Sequence, residues 1–122
     1  MYLDKVITGF QVEPLNQPLS YEGNLNTSIS RNATFSAAGA PQTPGNLNAA
    51  SDNVSSILVS TSPAITNFGV RLINASQLNE LSSLDLDGRI VVPPNSNIVI
   101  SFLGQLAVSA MDADITVTWY EL

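Results

Sequence analysis

One stretch of this sequence, from Ala113 to Glu121, alternates strictly between apolar and polar side chains. The apolar positions are Ile115, Val117 and Trp119, and the polar ones are Asp114, Thr116, Thr118 and Tyr120. Successive side chains of a β-strand point to opposite faces, so this alternation predicts a strand with one buried face. A helix would spread both sets around its surface. We therefore expect Trp119 in a core and Tyr120 on the exposed face, available to a partner.

Similar alternation along the rest of the chain predicts seven or eight short strands. We expect strands at 3–12, 25–29, 33–37, 56–60, 68–73, 89–92, 97–103 and 113–121. The pair Asp87-Gly88 and the run from Pro93 to Asn97 are typical of turns, because both combine residues that favour turn geometry or block strand pairing. One stretch is ambiguous: Leu78, Leu81 and Leu84 recur every three residues and favour a short helix within 76–86, whereas 84–87 alternates like a strand.

These elements predict one all-β domain over residues 1–122, an antiparallel β-sandwich with at most one short helix. Sandwiches of this size are chiefly immunoglobulin-like or jelly-roll. The chain has no cysteine, and its single tryptophan lies in the last predicted strand, so the Cys…Trp…Cys hallmark of immunoglobulin domains is absent. We therefore favour a jelly-roll, although immunoglobulin-like sandwiches without the disulfide keep the other topology open.

Composition excludes several kinds of function. The absence of cysteine and histidine removes thiolate zinc sites, cysteine nucleophiles and the commonest general base. The net charge of −6 argues against nucleic-acid binding, since a phosphate backbone needs clustered lysine and arginine. No apolar run approaches the roughly 20 residues that span a bilayer, and the first residues lack an export-signal pattern. We expect no nucleic acid, membrane or cofactor.

The carboxylates are the remaining candidates for chemistry. Asp85 and Asp87 are two residues apart, as are Asp112 and Asp114, so each pair shares a strand face and could hold a cation or a proton. The Asp-rich calcium loop that ends in a bidentate Glu is missing, and nothing places two carboxylates across a cleft as in a glycosidase. A serine nucleophile would need the single lysine, Lys5, as its base. We therefore expect no metal site and no enzymatic activity.

The polar surface is built mostly from amides and hydroxyls. Asn, Ser and Thr together supply 35 residues, against 14 charged ones. Charged residues make up 11 % of the chain, less than half of the usual 25 % or so. A surface with few charges costs less to desolvate against another subunit. This composition favours a component of an assembly over a catalyst.

Two stretches carry a resemblance to a known family. The first runs from Asp87 to Phe102 and contains the pattern V-P-P-x-S-x-I-x-I, and the second, from Ala113 to Leu122, contains V-x-W-x-E. They resemble the closing strands of small jelly-roll proteins of tailed bacteriophages, including head decoration (cement) proteins and related virion modules. The resemblance implies a homotrimer on the outer surface of the capsid, assembled in the host cytoplasm, where it clamps major capsid subunits without catalysis.

Such a protein would grip the shell with an extended segment. The best candidates are an N-terminal arm at 1–3 and a long loop at 38–48, and we name as possible contacts Met1, Tyr2, Leu3, Pro41, Pro44 and Tyr120. The alternative is a receptor- or glycan-binding jelly-roll module of a phage fibre or spike. That module would use exposed rings, for which Tyr2, Tyr21 and Tyr120 are the candidates.

Overall fold

The structure, a computed structural model, describes residues 1–12, 24–77, 81–105 and 111–121. These ranges contain strands and loops but no helix, and hence no helix able to cross a membrane. The strands are β1 (Tyr2–Val12), β2 (Asn24–Arg31), β3 (Thr34–Ala37), β4 (Ala40–Gln42), β5 (Val59–Thr61), β6 (Ala64–Asn67), β7 (Val70–Gln77), β8 (Leu81–Val91), β9 (Ile98–Gln105) and β10 (Met111–Tyr120).

Two antiparallel three-stranded sheets make up the body of the protein. One has the strand order β10-β1-β8 and the other β7-β2-β9. Their inner faces share a core in which Leu3, Val6 and Leu86 of the first sheet pack with Ile29 of the second. Trp119 packs against this core from β10. The predicted all-β sandwich is thus confirmed, and the alternation that suggested it marks the inward and outward faces of each strand.

Between β2 and β7 the chain forms a two-stranded extension, which we call the ribbon (residues 34–42 and 59–67). In it β3 pairs with β6 and β4 with β5, both antiparallel. The residues that join the strands at its far end, 43–58, are the tip loop. Because β2 pairs with β7 in the sandwich, the ribbon continues that hairpin beyond the sheet.

Asn97 anchors the ribbon where it leaves the sandwich. Its side chain accepts a hydrogen bond from the Ala33 N–H (2.9 Å) and donates one to the Ala33 carbonyl (3.1 Å). The Asn97 carbonyl also accepts a hydrogen bond from the Asn32 N–H (3.1 Å). The amide thus imitates a neighbouring strand and satisfies both backbone groups of buried Ala33.

The short helix predicted within 76–86 is wrong over the described residues, because β7 extends to Gln77 and β8 begins at Leu81. In a strand, leucines three residues apart point to opposite faces. Leu84 accordingly packs against the core, whereas Leu81 is exposed. Pairing of β8 with β1 decided this segment, since tertiary contacts override a weak local preference.

The predicted turn at Asp87-Gly88 lies inside β8. Both residues have left-handed backbone, with φ of 49° and 70°. Leu3 pairs with Ile90 and Lys5 with Asp85, so four residues of β8 stand opposite the single residue between them in β1. The turn is therefore a large bulge, and the separate strand expected at 89–92 is the end of β8.

The N-terminal arm expected at 1–3 belongs to the sandwich. Tyr2 begins β1 and pairs with both Tyr120 and Val91, and Leu3 is 0 % exposed. Leu3 is therefore part of the core rather than of a free arm, whereas Met1 and Tyr2 are half-buried, and a contact role for Met1 and Tyr2 stays a prediction. The long loop expected at 38–48 is also revised, because Ala40–Gln42 forms β4 and the loop spans 43–58.

Candidate binding surface

Four apolar side chains are exposed to solvent where the ribbon joins the sandwich. We call them the root patch, each with 41 to 53 % of its surface exposed: Phe35, Phe68, Val70 and Leu72. The strand register brings them to one region, since Thr34 pairs with Asn67 and Arg31 with Val70. Phe35 lies in β3 of the ribbon and Phe68 between β6 and β7, whereas Val70 and Leu72 belong to β7 of the sandwich. Their exposed apolar surface is open to a partner.

The ribbon is almost free of charge. From Thr34 to Asn67, the sequence contains one ionisable side chain, Asp52. All residues of β3 and β4 are exposed, including Pro41 at the centre of β4. Pro44, at the start of the tip loop, is half-buried. The predicted contacts at Pro41 and Pro44 therefore lie on or next to the ribbon, on a surface that costs little to desolvate.

The tip loop is organised by its own asparagine side chains. Asn46 Nδ2 donates to the Asn53 carbonyl (2.9 Å), which closes the loop across its width. Asn46 Oδ1 accepts from the Asn48 N–H (2.9 Å), and Asn48 Oδ1 accepts from the Ala50 N–H (3.2 Å). Short polar side chains that bond nearby backbone fix a loop without strand pairing.

This ordered loop displays three apolar side chains with almost no cover. Leu47 is 87 % exposed, Val54 is 91 % exposed and Leu58 is 100 % exposed. Single exposed leucines are ordinary on protein surfaces, but three on one pre-ordered loop favour a contact site. Sequence analysis placed contacts near this loop but missed these residues, because alternation marks the faces of strands and says nothing of loops.

Glu121 connects the tip loop to the sandwich through hydrogen bonds. Its carboxylate accepts hydrogen bonds from Ser55 Oγ and Ser56 Oγ (2.5 Å each), from the Ser56 N–H (3.2 Å) and from Trp119 Nε1 (3.3 Å). The hydroxyls of Ser55 and Ser56 are the main reason that the pKa of Glu121 falls to about 2, because these bonds favour the charged form. Sequence analysis also missed this site, since the partners lie far apart in the chain.

A second surface feature lies on the outer face of the β10-β1-β8 sheet. The rings of Tyr2 and Tyr120 stack with centroids 5.2 Å apart and planes 5° apart. Tyr120 is 44 % exposed, on the face opposite Trp119 as the alternation predicts. The Tyr120 hydroxyl lies over Gly88, where an added Cβ would come within 2.0 Å of it. Tyr21 lies outside the described residues, and Met1 is half-buried against the core.

An open cavity of about 470 Å³ lies between the two sheets near the root of the ribbon. Its wall includes Ile73, Ile90 and Ile98, and its polar lining includes Arg31 and Arg89. None of the described residues that line it is acidic. Arg89 lies 3.5 Å from Asp87, whereas the structure records no ion pair for Arg31 with a described residue. The cavity therefore combines an apolar wall with the positive charges of Arg89, which has Asp87 beside it, and of Arg31, for which no described residue forms an ion pair.

The paired aspartates do not converge on a cation site. Asp85 forms an ion pair with Lys5 (3.2 Å), and Asp87 approaches Arg89 instead. Asp114 is exposed, and the side chain of Asp112 is outside the description. Within the described ranges, no three acidic side chains group closely enough to hold a metal ion.

A comparison of the chain with protein families, with curated proteins and with solved structures finds no match.

Proposed function

We propose that this protein is a virion structural protein, a decoration protein that binds major capsid subunits on the outside of a phage head as a homotrimer and without catalysis. The observation that carries the proposal is the uncharged ribbon with its exposed root patch. The fold supports it as well: β1 pairs with β10 and β2 with β9, and this nested pairing is compatible with a rolled-up jelly-roll.

Contact through the root patch is favourable because its side chains gain from burial while few charges oppose it. Complete burial of a Phe, Val or Leu side chain stabilises by about 1.5–3 kcal/mol relative to full exposure. Each side chain of the root patch is roughly half exposed, so four of them give about 3–6 kcal/mol on the same basis. On the ribbon side no charged group opposes this gain, whereas Arg31 pairs with Val70 and Arg71 follows it, so desolvation of these arginines reduces the gain on the β7 side.

Co-sedimentation with phage capsids that lack the protein tests this proposal. We expect wild-type protein to pellet with the capsids, and Phe68→Ser and Val70→Thr to weaken binding. Val70→Thr keeps the shape and the strand preference of valine, so it removes apolar surface without disturbing β7. Leu81→Ser is the matched control, because Leu81 is exposed on the sandwich away from the root patch. Equal binding by all four proteins would contradict a role for the root patch, and absence of wild-type binding would contradict the proposed function.

One observation favours the alternative, a receptor- or glycan-binding module. The rings of Tyr2 and Tyr120 stack and Tyr120 is 44 % exposed, so an aromatic ring with a polar hydroxyl is open to a sugar. A glycan array separates the two functions. Binding to glycans that is lost in Tyr120→Ala, with no binding to capsids, would support the alternative, whereas binding to capsids alone would support a decoration protein.

A further inference from the structure

Two surfaces in the described part of the chain have complementary chemistry. The first is the cavity between the sheets, with isoleucines in its wall and with Arg31 and Arg89 in its lining. The chain has ten carboxylates and four cationic side chains, and two of those four cations face this one cavity. Such a site attracts a carboxylate that is attached to an apolar segment, because Arg donates several hydrogen bonds and stays charged.

The second surface is the tip loop. Asp52 is the single charged residue of the ribbon and tip loop, and it is exposed. Two residues further along, Val54 is almost fully exposed. The hydrogen bond from Asn46 to Asn53 holds this segment in shape before any contact, which lowers the entropy lost on binding. The loop thus offers a carboxylate beside an apolar side chain, the chemistry that the cavity takes.

The loop does not fill the cavity of its own molecule. Ser55 and Ser56 donate hydrogen bonds to Glu121 of the same molecule. None of the described residues that line the cavity comes from the tip loop. Val54 remains 91 % exposed in this arrangement. Among the described residues, no segment of the same molecule fills the cavity, so a tip loop that binds there comes from another copy.

We propose that the tip loop of one copy binds in the cavity of the next copy. The Asp52 carboxylate accepts hydrogen bonds from Arg31 and Arg89, and Val54 packs on the isoleucines. This contact joins two different surfaces, so it is heterologous and produces a ring where the rotation closes. The contact itself is independent of the proposed function, which adds only the expectation that the ring has three members. Leu72 of the root patch also lines the cavity, so Phe35, Phe68 and Val70 are the part of the patch that stays free to bind a capsid.

Sedimentation velocity and native mass spectrometry of the purified chain, without capsids, test this contact. We expect a closed oligomer for wild type, and monomers for Arg31→Glu (altered cavity) and Asp52→Asn (altered loop). Loss of one partner of a buried charge pair raises the dissociation constant by about 30-fold or more. The matched controls are Arg71→Glu and Asp114→Asn, which change exposed residues outside both surfaces and should assemble as wild type does.

One mixture and one double variant make the test directional. An equal mixture of Arg31→Glu and Asp52→Asn contains one intact loop and one intact cavity, so it should form a heterodimer and no ring. The double variant Arg31→Glu with Asp52→Lys restores opposite charges and should recover assembly. A monomeric wild type, or single variants that assemble like wild type, would overturn the proposal. These results do not depend on binding to capsids, so this proposal and the proposed function can fail separately.

Discussion

The side chain of Asn97 sets the stability of the ribbon root, and its removal gives a measurable prediction. In Asn97→Ala, the N–H and the carbonyl of Ala33 lose their side-chain partners at 2.9 and 3.1 Å. Ala33 is only 5 % exposed, so water reaches these groups poorly. A buried polar group left without a partner costs about 1–3 kcal/mol. With some access of water through the open cavity beside Asn97, we expect a total loss of about 2 kcal/mol.

Urea denaturation measures this loss. For a domain of this size, the free energy of unfolding falls by about 1.5 kcal/mol per molar urea, so a loss of about 2 kcal/mol lowers the midpoint by about 1.3 M. Hydrogen exchange should show faster exchange at the Ala33 N–H and in β3, with little change in β1. Asn74→Ala, at an exposed position of β7, is the control and should leave the midpoint within about 0.3 M. A midpoint for Asn97→Ala as close to wild type as that of the control would refute the reasoning.

Three further predictions concern the hydrogen bonds of Glu121, the bulge in β8 and the core. The pKa of Glu121 in the folded protein is about 2, below its ordinary 4.5, so the stability that Glu121 contributes is complete above pH 4.5 and is lost as the pH falls through about 2. Hydrogen exchange at the Ser56 N–H should accelerate over that range, and this pH dependence should disappear in Glu121→Gln. Gly88→Ala adds a Cβ to left-handed backbone, in the space of the Tyr120 hydroxyl, so it should lower stability by about 1–3 kcal/mol and alter the near-ultraviolet circular dichroism of the tyrosines. Gly45→Ala is the control, because Gly45 lies in open space, and it should change neither stability nor the spectrum. Ile29→Ala should lower the free energy of unfolding by about 3 kcal/mol, measured with heat or urea, because Ile29 is fully buried. Lys5→Ala should lower it by less than about 1 kcal/mol, because the ion pair with Asp85 is exposed. Equal losses of stability would contradict this assignment of the core.

Local sequence patterns were sufficient to predict the all-β fold and the two faces of β10. The alternation from Ala113 to Glu121 predicted β10 and the opposite positions of Trp119 and Tyr120, because the two-residue period of a strand is a property of the backbone itself. The low charge of the chain predicts a surface suited to contact, and the segment from Thr34 to Asn67 contains one ionisable side chain, Asp52. The period of three in Leu78, Leu81 and Leu84 misled, since it is a weak preference that pairing of β8 with β1 overrides.

The ribbon and the sites around it depend on groups that are distant in sequence. Alternation predicted segments at 33–37 and 56–60, but not that β3 to β6 would leave the sandwich as one ribbon. The bonds of Ser55 and Ser56 to Glu121, and of Asn97 to Ala33, join residues that more than 60 positions separate. The arginine cavity also needs both sheets, because Arg31 comes from one and Arg89 from the other. Periodicity reports which face of a strand is buried, whereas these contacts exist only once the two sheets have packed together.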